Sequence, residues 1–184
     1  MKKPLAIVIS GLPCTGKTTL GKRISQEFLL PFFSKDGFKE RLFDELGWSD
    51  RAWSKKLGLA SYKLLFHALE TQLEVGHACI LEANFYPEFH TQILNDFKQH
   101  YRCDFFQIYC HAQPEVLLKR FGARWKAGAR HPGHADNVTL PEMEQLVYQK
   151  PFRLELDGTT WDLDASDLGK LETDDLFAAL QAQL

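Results

Sequence analysis

Gly11-Leu12-Pro13-Cys14-Thr15-Gly16-Lys17-Thr18 constrains this chain more than any other stretch. It is a full GxxxxGK(S/T) pattern. Before it, Leu5-Ala6-Ile7-Val8-Ile9 is a short apolar run rich in β-branched residues, which reads as a strand buried on both faces. After it, Leu20, Ile24 and Phe28 recur at i, i+4 and i+8, a helical stripe starting near Gly16. In that strand–loop–helix context, glycines let successive backbone N–H groups point into one concavity, and the helix adds the positive end of its dipole. Gly11, Pro13, Cys14, Thr15, Gly16, Lys17, Thr18 and Thr19 are therefore expected to hold nucleotide phosphates. Lys17 reaches the β- and γ-phosphates, and the Thr18 hydroxyl is a ligand of Mg²⁺. A chance match of the four fixed positions arises about once in a hundred such chains or less.

The rest of the chain continues the alternation. Pro31–Ser34, Ala78–Leu81, Phe105–Cys110 and Thr160–Asp164 read as further strands. Helices are expected between them. One carries Phe38, Leu42, Phe43 and Leu46. A long one, from about Trp53 to Val75, carries Leu57, Leu64, Leu65, Leu69 and Leu73. The next carries Phe89, Ile93 and Phe97. Pro114 opens a helix with Val116, Leu117 and Phe121 inward, and Thr173 caps one with Leu176, Leu180 and Leu184 inward. The stretch from Gly122 to Asn137 loses periodicity and reads as a loop or flap. Thr139 to Glu142 has capping-box spacing and is expected to start a short helix. Strands alternating with helices imply an α/β fold: a five-stranded parallel sheet with helices on both faces, the three-layer sandwich of P-loop NTPases. Ligands of such sheets bind beyond the carboxyl ends of the strands. The 184 residues suit a single domain with a flap at about 122–138.

Composition narrows the function. A formal net charge of −2 argues against extended nucleic-acid binding. The four cysteines, Cys14, Cys79, Cys103 and Cys110, form no CxxC pair, and free thiols suit the cytoplasm. The N-terminal apolar run is too short for a signal segment, and no run is long enough to span a membrane.

Ser10 to Leu20, followed by Ser34-Lys35-Asp36-Gly37-Phe38-Lys39-Glu40, resembles the adenylate-kinase-like P-loop kinases. Within them it is most like the ATP-binding kinases grouped as AAA_33, with polynucleotide 5′-hydroxyl kinases, chloramphenicol phosphotransferases and zeta toxins as relatives. The resemblance covers most of the chain: P-loop, acidic residue after the second strand, arginine-bearing helix, arginine-rich flap and final strand. It implies a kinase that moves the γ-phosphate of ATP onto a small hydroxyl-bearing acceptor. It carries the role of catalytic base onto Asp36, with Lys39 one helical turn on as an acceptor or phosphate contact. The other reading of Asp36 is a simple helix cap. Arg120 and Arg124 share a helix face at i, i+4, and with Arg130 they correspond to the lid arginines that close on ATP. Their other reading is a solvated basic face. Glu82 and Asn84 end the third strand, where an acidic residue holds Mg²⁺ through water or positions the acceptor. Glu stands where many relatives carry Asp, so a structural hydrogen bond to the P-loop is the competing role.

Two histidines, His131 and His134, make a weak metal pattern without cysteine partners. The aromatics Phe32, Phe33, Phe38, Phe85, Tyr86 and Phe89 lie near strand ends where an acceptor pocket could form, and most of them suit core packing better. Two other functions stay open. A nucleotide-hydrolysing switch is suggested by Asp44-Glu45-Leu46-Gly47, although that DxxG lies on an amphipathic helix and no NKxD accompanies it. A polynucleotide 5′-kinase is compatible with the Asp36–Lys39 spacing. The acceptor and the oligomeric state are not written in the sequence.

Overall fold

The computed structural model describes residues 3–128, 130–149 and 152–184, without the side chain of Asn137. Ala129 and that side chain, both in the expected flap, lie outside the described residues. The elements run β1 (Leu5–Gly11), α1 (Lys17–Phe28), β2 (Phe32–Ser34), α2 (Lys35–Leu46), α3 (Arg51–Glu74), β3 (Cys79–Glu82), α4 (Pro87–Tyr101), β4 (Asp104–His111), α5 (Pro114–Lys126), α6 (Asp136–Leu146), β5 (Thr159–Asp164) and α7 (Asp174–Gln183). Short 3-10 turns occupy Pro132–His134 and Leu168–Lys170.

The five strands are all parallel in the order β2-β3-β1-β4-β5. Strand β1 lies at the centre because every one of its side chains is apolar or small enough to be covered on both faces. Its residues alternate between two cores. Leu5, Ile7 and Ile9 pack with Leu20 and Ile24 of α1 and Leu176 and Leu180 of α7. Ala6 and Val8 pack with Leu65, Leu69 and Leu73 of α3 and Leu94 of α4. Full burial of each large aliphatic side chain contributes about 1.5–3 kcal/mol, so the doubly covered strand anchors the sandwich. The winding direction changes at β1, which makes its carboxyl end the switch point where a crevice opens.

Gly11 ends β1 opposite Cys110 of β4. Its φ is +134°, and a Cβ added there would lie 2.0 Å from the Cys110 carbonyl oxygen. Only glycine permits the strand to turn this tightly against its neighbour. Gly11→Ala is expected to cost about 3 kcal/mol, or a melting temperature lower by about 6–12 °C, measurable by thermal denaturation. An unchanged melting temperature would mean that the turn relaxes freely.

Several sequence expectations are corrected. In α4 the inward stripe is His90 and Leu94, while Phe89 and Ile93 are exposed. The histidine ring stacks 4.4 Å from Tyr62 and accepts the Tyr86 N–H at Nδ1, 2.9 Å away. Burial holds its pKa below the usual histidine value. Leu64 and Leu46 are also exposed, at the edges of their stripes. The stretch after Phe121 is less of a loop than its composition implied. Helix α5 continues to Lys126, and α6 starts at Asp136 rather than Thr139. The Thr139 hydroxyl is instead turned back toward the Asp136 carbonyl, 3.4 Å away. Thr173 precedes α7, but its hydroxyl accepts from Arg23 at 3.2 Å; Asp174 and Asp175 answer the helix dipole. Among the described residues no helix is long and apolar enough to cross a membrane.

Candidate active site

The loop between β1 and α1 is bent by positive φ at Gly11, Cys14 (+68°) and Gly16 (+81°). A left-handed cysteine is uncommon, and here the Thr15 hydroxyl braces the bend by donating to the Leu12 carbonyl at 2.9 Å. Lys17 is buried in the concavity. Its Nζ donates to the Leu12 carbonyl at 2.6 Å and reaches the Thr15 hydroxyl at 3.5 Å. Burial lowers the Lys17 pKa, and nearby Glu82 partly restores it.

Register sets the next layer. Ser34 of β2 and Ile9 of β1 both pair with Glu82 of β3. One Glu82 oxygen therefore accepts from the Ser34 hydroxyl at 2.7 Å and from the Thr18 hydroxyl at 3.2 Å. Of the two roles weighed for Glu82, the bond to the P-loop is present. Thr18 and Glu82 form an oxygen-only donor set, which fits Mg²⁺ with phosphate and water completing its shell.

Asp36 sits in the first turn of α2. It does not cap the helix: Ser34 is the N-cap, its hydroxyl accepting from the Gly37 N–H at 3.4 Å. The Asp36 carboxylate is free to point across the crevice, where it pairs with Arg130 and, at 3.1 Å, with Lys35. Burial pushes its pKa up, but Arg130 and Lys35 outweigh burial and hold the carboxyl well below the usual range. Arg130 also bonds Asp136 at 2.9 Å, and Asp136 bonds Arg124 at 3.0 Å. A chain of alternating charge thus runs Lys35–Asp36–Arg130–Asp136–Arg124.

Arg120 differs from the other two arginines. Its guanidinium donates to the carbonyls of Ala165 (2.7 Å) and Ser166 (2.9 Å), beyond β5, and more distantly to Cys14 (3.4 Å). It ties α5 to the P-loop and to the segment after the last strand. None of the three arginines lies on a solvated face.

A cavity of about 340 Å³ is bordered by the P-loop residues Pro13, Cys14 and Gly16 to Thr19. Lys17, Arg120, Arg124 and Arg130 face it together with Asp36 and Glu82. The buried Nε of Arg124 has no hydrogen-bond partner among the described residues. Four cations, one with an unsatisfied donor, suit a polyphosphate. A second cavity of about 150 Å³ adjoins the first and shares Pro13, Asp36, Asn84, Arg130. Lys39 lines this second space, is 5% exposed and donates to the Ser54 hydroxyl at 2.8 Å. Burial and then Lys35 lower its pKa to about 7.

That shift has a measurable consequence. Lys39 titrates lower in the folded chain than in the unfolded one, so the unfolded state binds more protons between about pH 7 and pH 10. Stability therefore rises with pH over that window. Lys39→Met is expected to be more stable than wild type at pH 7, with the difference fading toward pH 10 in chemical denaturation. A pH-independent difference would contradict the shift.

His134 is buried, with Nε2 2.9 Å from Glu40 and its ring edge-on to Phe43; burial, then Arg130, depress its pKa to about 2. His131 stacks on Phe43 at 5.0 Å. Among the described residues no group of three His, Cys, Asp or Glu is placed to hold a metal. Phe85 is core, Phe33 and Phe38 stack on each other, and Phe89 is exposed. Only Tyr86 of the six aromatics lines the second cavity.

The sequence reading missed Lys35, Ser34, Arg51, Ser54 and Asp136. Lys35 and Ser34 adjoin Asp36 in the Ser34–Glu40 segment. Asp136 lay inside a stretch read as irregular, where no periodicity marked it.

A parallel sheet of this order, with a glycine-bent phosphate loop at its switch point, defines a P-loop NTPase fold of the kinase type. The chain belongs to the AAA domain family AAA_33, whose model matches residues 7–149. It is similar over 100% of both chains to a presumed kinase from Chloroflexus aurantiacus J-10-fl, at 33% identity and a TM-score of 0.92. The same fold occurs in the Mycobacterium tuberculosis APS kinase CysC, in complex with AMPPNP and APS, at 14% identity and a TM-score of 0.60, covering 100% of this chain and 98% of that one. A gluconokinase from Sinorhizobium meliloti 1021 matches at 16% identity and a TM-score of 0.53, covering 98% and 95%. No curated protein matches the chain in sequence.

Proposed function

We propose that this protein is an ATP-dependent phosphotransferase that moves the γ-phosphate onto a small hydroxyl-bearing acceptor. The observation that carries this reading is the position of Asp36, whose carboxylate borders both the phosphate cavity and the smaller cavity beside it. A carboxylate between a phosphate site and a second polar space is where an acceptor hydroxyl loses its proton in line with transfer.

In this mechanism the loop amides and Lys17 hold the β- and γ-phosphates. Thr18 and Glu82 would hold Mg²⁺, which would supply charge neutralisation to the phosphate oxygens. Arg124 and Arg130 exchange their carboxylate partners for phosphate oxygens and stabilise the charge spread over the transferring group. Loss of Arg130 from Asp36 raises the basicity of that carboxylate as the acceptor arrives. Arg120, bound to carbonyls, positions α5 against the loop.

The test is transfer of labelled phosphate from ATP to a panel of sugars, hydroxy acids, nucleosides, antibiotics and short oligonucleotides. A labelled phosphorylated acceptor supports the reading. Release of phosphate to water alone, at a rate no acceptor alters, overturns it in favour of a hydrolysing switch.

A further inference from the structure

The small cavity carries more information about the acceptor than its size alone. Three carboxylates and four cations face it, and most are already matched. Asp36 is paired with Lys35 and Arg130, Asp136 with Arg124 and Arg130, and Glu142 with Arg51 and Lys55. Lys39 is the exception. Among the described residues its Nζ has no carboxylate partner, and its one hydrogen-bond partner is the Ser54 hydroxyl. An ammonium has three N–H donors, so two are left over in a buried site. Buried charges are normally paired, because desolvation without compensation is costly.

The surroundings hold this lysine in place. Ser54 of α3 donates its own proton to the Gly133 carbonyl at 2.9 Å, which leaves its lone pairs for Lys39. Gly133 approaches α2 so closely that a Cβ would lie 2.7 Å from the Phe43 ring. Three elements thus fix one ammonium against the cavity wall. Lys39 and Asp36 are three apart on α2, so their Cβ atoms lie on one face roughly 5–6 Å apart. The cavity, about 150 Å³, matches a space known to take a benzene-sized molecule of about six heavy atoms.

Resting on the kinase reading, we infer that the acceptor is a short hydroxy acid whose carboxylate binds the Lys39 ammonium while its hydroxyl meets Asp36. A three- or four-carbon skeleton spans the two groups and fits the volume. In the transfer step the hydroxyl oxygen forms the new O–P bond to the γ-phosphorus. The bond from that phosphorus to the β–γ bridging oxygen breaks, ADP leaves with the electron pair, and the hydroxyl proton passes to Asp36.

The test is calorimetric titration of the full chain, with a non-hydrolysable ATP analogue and Mg²⁺ present. The probes are glycerate and erythronate against glycerol and erythritol, with glycerol phosphate as a third arm. At least one of the two acids is expected to bind about 10- to 100-fold more tightly than its matched polyol, and Lys39→Met to remove that preference. Lys39→Gln, which keeps a donor for Ser54 without the charge, replaces it if the methionine variant does not fold. Acid affinity is expected to fall above about pH 7, where Lys39 loses its proton. The other titratable and charged groups that face it are Lys35 and Asp36 on α2, Arg51 on α3, Arg130 and His134.

The inference is overturned if polyols bind as well as acids, if only glycerol phosphate binds, if nothing binds, or if the Lys39 variants keep the preference. Transfer to a neutral polyol would remove this inference and leave the kinase standing. Acid binding without any transfer would do the reverse.

Discussion

Lys17→Ala is expected to abolish the thermal stabilisation that ATP and Mg²⁺ give the wild-type chain. At a nucleotide concentration of one hundred times Kd, binding stabilises the wild type by about 2.7 kcal/mol, a rise of about 5–10 °C for a chain of this size. The variant loses the one buried ammonium in the loop concavity, where it donates to the Leu12 carbonyl at 2.6 Å. Phosphoryl transfer is expected to fall by about 10²–10³ or more. Without nucleotide the variant should melt no lower than wild type, because burial already disfavours the charged lysine. This combination separates lost binding from lost folding. A full nucleotide shift in the variant would mean that the triphosphate binds elsewhere.

Asp36→Asn should do the opposite: retain nucleotide stabilisation and lose transfer by about 10²–10⁴. Asparagine keeps the shape but cannot accept the acceptor proton. The change also uncouples Arg130, which pairs with Asp36 across the crevice, so stability should respond as well. The folded-state pKa of Asp36 lies below its ordinary value. Its stabilising contribution is therefore present above about pH 4 and lost as pH falls toward the folded-state value. Wild type should be more stable than Asp36→Asn at pH 7, with the gap closing in acid. Transfer at an undiminished rate in Asp36→Asn would remove Asp36 as the base.

These two residues were legible for different reasons. Lys17 sits in a motif whose spacing is imposed by backbone geometry, and backbone geometry is local. Asp36 was singled out by the resemblance, as the acidic residue after the second strand, and β3 stands between that strand and β1. Its partner was not visible. Arg130 lies 94 positions away, and nothing in a linear reading pairs it with Asp36. The same holds for Asp136, which links two of the arginines from a stretch read as a flap.

Periodicity located every strand of the sheet, and it erred where a polar residue was buried or an apolar one exposed. His90 displaced Phe89 from the core of α4 because Tyr62, Phe66 and Phe85 pack around its ring and burial lowers its pKa. Hydrophobicity alone cannot anticipate a histidine made apolar by its neighbours.

The sequence by itself determined the parallel sandwich and the phosphate loop. Each of these follows from short-range rules: the period of the apolar residues, the glycines of a turn, the spacing of a helix. Tertiary structure alone decided how the charges are shared, that Glu82 bonds Thr18 while Arg120 ties the backbone, and that Lys39 has no carboxylate partner among the described residues. Pairing of buried charges depends on which distant segments the fold brings within a few ångströms, and no local pattern encodes that.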